Sequence, residues 1–424
     1  MRSPTKNVKQ GWRYGLRLGV AVTVAACGLL PLPSAPAAAE PPPRRSPEPR
    51  TIAYVTSGCV QGGGVKRLDP ATNTVAGEID TGGCTHVITL SPDGNLAYVA
   101  TLANDKDYIL VIGTDINQVI DRVEVPHFPQ GMAVTPDGAQ VYVTVHDFGP
   151  ESNKVVVIDA HADIVSETIP IDGSPVPVAV DHEGRFALVG VSGAGKGASE
   201  NVTVINTKTN AIARTIPLPA GPRAIAVHPS RHRAYVTGGG GKNGQVMVIN
   251  PVNGHLLRSI SVSQSPRAVA VSDDGTRTYV TLVSDQGGNA LAVINTATNA
   301  VIATIEIPDY RTPIGVALSH DGKTAYVTTT TGKQDAVVVI DTAHKSVTAT
   351  IDLHNSDLEL AEIQDIAVGR RLFSRRPPGE PRPGKPIEPG TAGEPDGPAT
   401  AADVLEAPLL PAPLAPRSST GAVG

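Results

Sequence analysis

Aromatic side chains are scarce in this sequence: 3% of 424 residues, with a single tryptophan. Proteins that grip sugars or single-stranded nucleic acid stack them on aromatic rings, so both readings lose ground. Charge of one sign is lacking too. The formal net charge is −5, which supplies no general attraction to nucleic acid or to an anionic membrane. Nucleic acid is therefore not an expected partner. Cysteine occurs at only three positions, Cys27, Cys59 and Cys84. A serine elbow, a carboxylate pair of definable spacing and a haem motif are all missing, so nothing here demands a cofactor. Glycine and proline, in contrast, are abundant at 43 and 38 residues, as turn-rich β proteins and disordered flanks require.

The first residues read as a targeting segment. Lys6, Lys9, Arg13 and Arg17 precede the apolar run "LGVAVTVAACGLL" (18–30), which is short for a membrane span. "APAAAE" (35–40) offers small residues for cleavage after Ala39. "VAAC" (24–27) resembles a lipobox that would lipidate Cys27 instead, but the apolar run continues past it. The expected organisation is a signal peptide over 1–39, a Pro-rich linker over 40–50, a folded domain over 51–372 and a disordered Pro/Ala-rich tail over 373–424. The mature chain is then extracellular or on the cell surface, without a transmembrane segment, and a monomer.

The folded part repeats. "AYVT" (53–56) recurs as "AYVA" (97–100), "VYVT" (141–144), "ALVG" (187–190), "AYVT" (234–237), "TYVT" (278–281) and "AYVT" (325–328), at spacings of 44, 44, 46, 47, 44 and 47. A period in the mid-forties is that of a four-stranded propeller blade. Strand a is cleanest as "RAVAV" (267–271), followed by turns such as "SPDG" (91–94) and "TPDG" (135–138). Strand b is the Tyr-Val-Thr run, and strand c is "VVVID" (155–159) and its relatives. The c–d turn then carries Asn73, Asn117, Asp163, Asn210, Gly254, Asn299 or Lys345 where a hairpin loop wants φ > 0. Strand a alternates small residues (Thr89, Ala133, Ala179, Ala226, Ala270, Ala317, Ala367) with large aliphatic neighbours, so that a small face can abut the large face of the next blade. Blade 1 lacks a strand a of its own, and "EIQDIAVG" (362–369) is a lone strand a after blade 7. The expectation is an all-β, seven-bladed propeller of four-stranded antiparallel blades, closed by a C-terminal strand that completes blade 1.

The Tyr-Val-Thr run, the Ser-Pro-Asp-Gly turn and the Val-Ile-Asp/Asn-Thr-x-Thr-Asn hairpin resemble the YVTN-repeat propellers, including YncE-like and surface-layer-type secreted proteins. They resemble the lactonase-type propellers more distantly. The resemblance covers about 51–369 and implies the fold and a place outside the cytoplasm. It implies no single activity. Blade 4 ("DHEG", "ALVG") and blade 5 ("HPSR") depart most from the pattern.

"GVSGAGKGAS" (190–199) imitates a phosphate-binding loop, but Gly197 stands where a magnesium-binding hydroxyl belongs. The next segment, "NVTVIN", reads as a strand where a phosphate loop needs a helix. It is a glycine-rich b–c loop. The b–c and d–a loops share one face, where the residues just before each strand a should ring the channel mouth: His86, Gln130, Val176, Arg223, Arg267, Ile314 and Gln364, with Asp365 one step further in. Arg223 and Arg267, on adjacent blades, could clamp a carboxylate or phosphate. His86, Asp105, His146 and Asp147 show no tight ligand spacing of the His-x-x-x-His kind, so no metal site is assigned. Asp107, Asp285 and Asp335 would bind calcium weakly at most. Cys59 and Cys84 fall on that face at neighbouring blades and form a disulfide in an oxidising compartment. The preferred function is binding of a small anionic ligand, an extracellular protein or a cell-wall polymer. Hydrolysis of lactonase type is the alternative, and quinone-dependent oxidation ranks third.

Overall fold

A computed structural model describes residues 50–58, 63–102, 106–126, 128–146, 153–193, 199–284, 287–309, 311–332, 334–353 and 365–371. The leader with Cys27, residues 40–49, Cys59, Asp105, Asp147, Asp285, Gln364 and the tail lie outside them.

The described strands form seven four-stranded antiparallel sheets. Strands a to d run Cys84–Leu90, Leu96–Leu102, Asp107–Gly113 and Gln118–Val125 in blade 2, and the other blades repeat this order. The closure is that of the sequence reading. Ile366–Arg371 pairs antiparallel with Arg50–Thr56, with Ala367 opposite Tyr54, and completes blade 1. Each inner strand neighbours the next around the whole ring, the last step joining Ile366–Arg371 to Cys84–Leu90.

Burial follows from radial packing. Strands b and c are buried almost throughout, whereas strand d is exposed over most of its length, with one buried position near its end, and leaves Ile164, Ile212 and Leu257 exposed on the rim. Seven aliphatic clusters fill the gaps between blades. Ala133 of blade 3 packs toward blade 4 while Met132 and Val134 pack toward blade 2, which is the small-against-large alternation along strand a. The few aromatics are spent here: Tyr54, Tyr98, Tyr142, Tyr235 and Tyr279 are fully buried.

Turn chemistry fits the geometry it serves. All seven residues expected at the end of the c–d turn have positive φ, between 49° at Asn210 and 76° at Gly254. In the a–b turn of blade 2, the Ser91 hydroxyl donates to Asp93 at 2.6 Å and accepts from the Leu96 amide at 3.0 Å, while Gly94 takes φ 69°. The Asp side chains are held below the usual carboxylate range in blades 3, 6 and 7 by hydrogen bonds from Thr135, Ser272 and Ser319 to Asp137, Asp274 and Asp321.

Candidate functional site

The inner strands carry a feature the sequence pattern did not reveal. In each of blades 2 to 7, the pairing of strand a with strand b slips once. The slip falls between Thr85 and Ile88, Pro129 and Gly131, Pro175 and Val178, Pro222 and Ala224, Pro266 and Val269, and Pro313 and Val316. Five of the six slips follow a proline, which has no N–H to give the ladder. A bulge re-aims the side chain it extrudes. Each bulge contains one of the six described members of the expected ring, His86, Gln130, Val176, Arg223, Arg267 and Ile314; four of the bulges hold a second residue, Val87, Pro177, Ala268 or Gly315.

The threonine of the Tyr-Val-Thr run holds the bulge in place. The Thr237 hydroxyl accepts from the Ala224 amide of its own blade at 3.0 Å and donates to the Arg267 carbonyl of the next blade at 2.6 Å. The Thr144 hydroxyl reaches the Val176 carbonyl at 2.7 Å, and Thr56 donates to the His86 carbonyl at 3.4 Å. Thr281 and Thr328 accept from Ala268 and Gly315. At Thr237 one side chain thus satisfies a backbone donor that the bulge frees and ties two blades together. Blade 2 has Ala100 at this position and blade 4 has Gly190, so neither can make the bond.

Gly190 is the first glycine of the phosphate-loop look-alike, and packing accounts for it. It lies inside Phe186–Ser192, where a Cβ would stand 2.5 Å from the Pro177 side chain and 2.9 Å from that of Pro222. The segment after the loop is the strand Asn201–Asn206, so the helix a phosphate loop needs is not there. Residues 194–198 of the loop lie outside the described residues.

Arg223 and Arg267 sit on successive bulges with exposed side chains. Although the residue is exposed, the protein around its guanidinium displaces part of its water and holds Arg267 below its ordinary value, and the positive charge of Arg223 lowers it further. That shift leaves Arg267 a cation at neutral pH. Among the described residues, neither guanidinium has a hydrogen bond or a carboxylate partner. Glycine shapes the wall beside them. An Arg223 Nη lies 4.0 Å from where a Cβ on Gly240 would stand, and the Gly241 amide donates to Ser265 Oγ at 2.7 Å. The b–c loop of blade 5, with its 3-10 turn Gly241–Asn243, is thereby fastened to the entry of blade 6.

The other ring members differ in character. His86 is half-buried; burial lowers its pKa from the ordinary histidine value, and the nearby Asp107 pulls the other way. Asp107 itself accepts from the Phe128 amide at 2.7 Å. Asp365 reaches across the blade 1–2 seam. Its carboxylate oxygens accept from the Ile366 amide at 2.8 Å and the Ile88 amide at 3.2 Å. The residue is partly exposed, yet burial of its carboxyl pushes the pKa up to about 7, against the pull of those amides.

No family profile matches the chain. The fold is similar to that of a chain of Kuenenia stuttgartiensis hydrazine synthase, with a TM-score of 0.52 and 24% identity over 59% of this chain and 75% of that one. A likeness at that identity establishes the propeller fold and carries no activity across.

The cysteine pair is described on one side. Cys84 opens blade 2, and the backbone brings the loop holding Cys59 to it: Gly58 bridges to Thr85, whose amide donates to the Gly58 carbonyl at 3.1 Å. Among the described residues, neither His86 nor His146 belongs to a group of three potential metal ligands; the group that exists lies at the blade 4 and blade 5 turns, on the other face.

Proposed function

We propose that this chain is an exported propeller of the YVTN-repeat type that binds a small anionic ligand at its channel mouth, with Arg223 and Arg267 as the anchors. One observation carries the reading: two cations are set on neighbouring backbone bulges, opposing each other's charge, with no carboxylate partner among the described residues. An anion bridging them relieves that repulsion and gains charge-assisted hydrogen bonds. The leader-like residues 1–39 support export, and a Cys59–Cys84 bridge would fit an oxidising compartment. His86 and Gln130 on the same rim offer neutral hydrogen-bonding groups. Hydrolysis of lactonase type stands second. The carboxyl poised near neutrality, Asp365, has its oxygens engaged by backbone amides.

The test is a thermal-shift series on residues 40–424 with phosphate, citrate, short dicarboxylates and lactones. A ligand at about a hundred times its dissociation constant stabilises by about 2.7 kcal/mol. Anions should raise the Tm of the wild type, and the shift should vanish in Arg223→Ala/Arg267→Ala. A shift that persists in that variant removes the clamp. Absence of any shift directs the search to a protein or wall-polymer partner.

A further inference from the structure

We propose that the a–b turns of blades 4 and 5 form a site for a borderline divalent cation of the zinc type, held by His182, Glu183 and His232 on the face opposite the channel mouth.

The three ligand atoms lie within 4.8 Å of one another. His182 Nε2 is 3.5 Å from Glu183 Oε1, and the His182 and His232 rings stack at 5.9 Å between centroids. Zinc holds imidazole nitrogen and carboxylate oxygen at about 2.0–2.2 Å, so the side chains must close by about an ångström. Glu183 and His232 are exposed, which leaves their side chains room to do so once Arg185 is displaced. Two imidazoles and one carboxylate suit zinc better than calcium or magnesium, which take oxygen ligands.

The turns are built differently here than elsewhere in the ring. In the Ser-Pro-Asp-Gly turn and its relatives the Asp is occupied by the turn hydroxyl, as at Ser91–Asp93 and Ser272–Asp274. In blade 4, Asp181 takes over the capping and accepts from the Arg185 and Phe186 amides at 2.6 and 2.9 Å. Glu183 is thereby released to face His182. In blade 5 the turn is closed by His228, whose Nδ1 accepts from the Ser230 amide at 3.2 Å, and this frees His232. The His-x-x-x-His spacing of His228 and His232 was the available sequence clue, but only His232 joins the group.

A cation already occupies the place. The Arg185 guanidinium pairs with Glu183 and lies 3.3 Å from His232 Nδ1. It has somewhere else to go: Asp181 Oδ2 is buried without a hydrogen bond, 3.8 Å from Arg185 Nε. His182 Nδ1 is likewise buried without a partner. A metal that displaces Arg185 toward Asp181 would therefore replace a guanidinium with a better ligand acceptor and satisfy a stranded oxygen. It would also bridge blades 4 and 5, the seam at which Gly190 cannot make the threonine tie.

The experiment is calorimetric titration of the untagged mature chain with Zn2+, with Co2+ absorption reporting the ligand set. One equivalent should bind and raise the Tm. His182→Ala and His232→Ala should each weaken binding by more than the ~10–100-fold that changes outside the ligand shell cost, and abolish the Co2+ bands. Arg185→Ala should bind Zn2+ more tightly than the wild type, because the competing cation is gone. These turn residues are partly or largely exposed, and unliganded melting of each variant checks its folding. Zinc binding unchanged in His182→Ala/His232→Ala, weakened in Arg185→Ala, or absent from the wild type at millimolar Zn2+ overturns the proposal.

Discussion

At the scale of single residues, the threonine of the Tyr-Val-Thr run links backbone geometry to the proposed site. Thr237 is fully buried and satisfies both the Ala224 amide and the Arg267 carbonyl. Thr237→Val keeps the shape but leaves two backbone groups stranded, at about 1–3 kcal/mol each where water cannot reach them. The expected result is a lower denaturation midpoint and weaker anion binding, because the bulge that presents Arg267 loosens. Equal affinity in the variant would separate the tie from the site. Asp365 makes a second residue-scale prediction. Its folded pKa of about 7 lies above the ordinary carboxyl value of about 3.9. Between those values the folded state keeps a proton that the unfolded chain releases, so stability falls as pH rises from about 4 to about 7. Asp365→Asn removes this contribution. Its Tm should exceed that of the wild type at pH 8, with the difference shrinking toward pH 4. A gap that does not change with pH would remove burial of the charge as the cause.

At the scale of elements, the decisive strand is Ile366–Arg371. Without it, Arg50–Thr56 loses its inner partner and the cluster joining blades 7 and 1 loses Ile366 and Val368. An open inner edge at the most crowded radius of the ring exposes unpaired amides. Truncation after residue 357 should abolish the single cooperative unfolding transition seen by circular dichroism. An unchanged transition would mean that blade 1 closes by another route. The same scale explains why blade 4 tolerates an atypical turn and strand b together. Pro177 and Pro222 pack over Gly190 where the threonine would stand, so apolar contact substitutes for the missing hydrogen bond.

At the scale of the whole molecule, stability is spread over seven similar seams, and the loops on one face are free to vary. The Cys59–Cys84 bridge would tie such a loop to the entry of blade 2. In unreduced protein, thiol labelling should find no free cysteine in the mature chain, and reduction should cost about 2–4 kcal/mol without altering anion affinity. Two labelled thiols before reduction would refute the bridge. The chain would then hold its first b–c loop by the Gly58–Thr85 pairing and by the Ser57 and Thr85 hydroxyls that donate to the Gly64 carbonyl.

Period, turn residues and alternation along strand a were enough to determine the propeller, its seven blades and its closure, because a blade's pattern is local. Asp-Gly and Asn at fixed offsets demand turns, and two-residue alternation demands a two-sided sheet. The same alignment picked out His86, Gln130, Arg223 and Arg267 as neighbours on a ring. What only the tertiary structure decided is how those residues are presented and what holds them: the bulges after proline, the threonine bonds between blades, the shifted ionisation of Asp365, and the meeting of His182 and Glu183 with His232. The bulges come from the pairing of strands a and b within a blade; the other three depend on atoms from two blades whose relative placement comes from packing. No pattern within one repeat encodes a distance to the next.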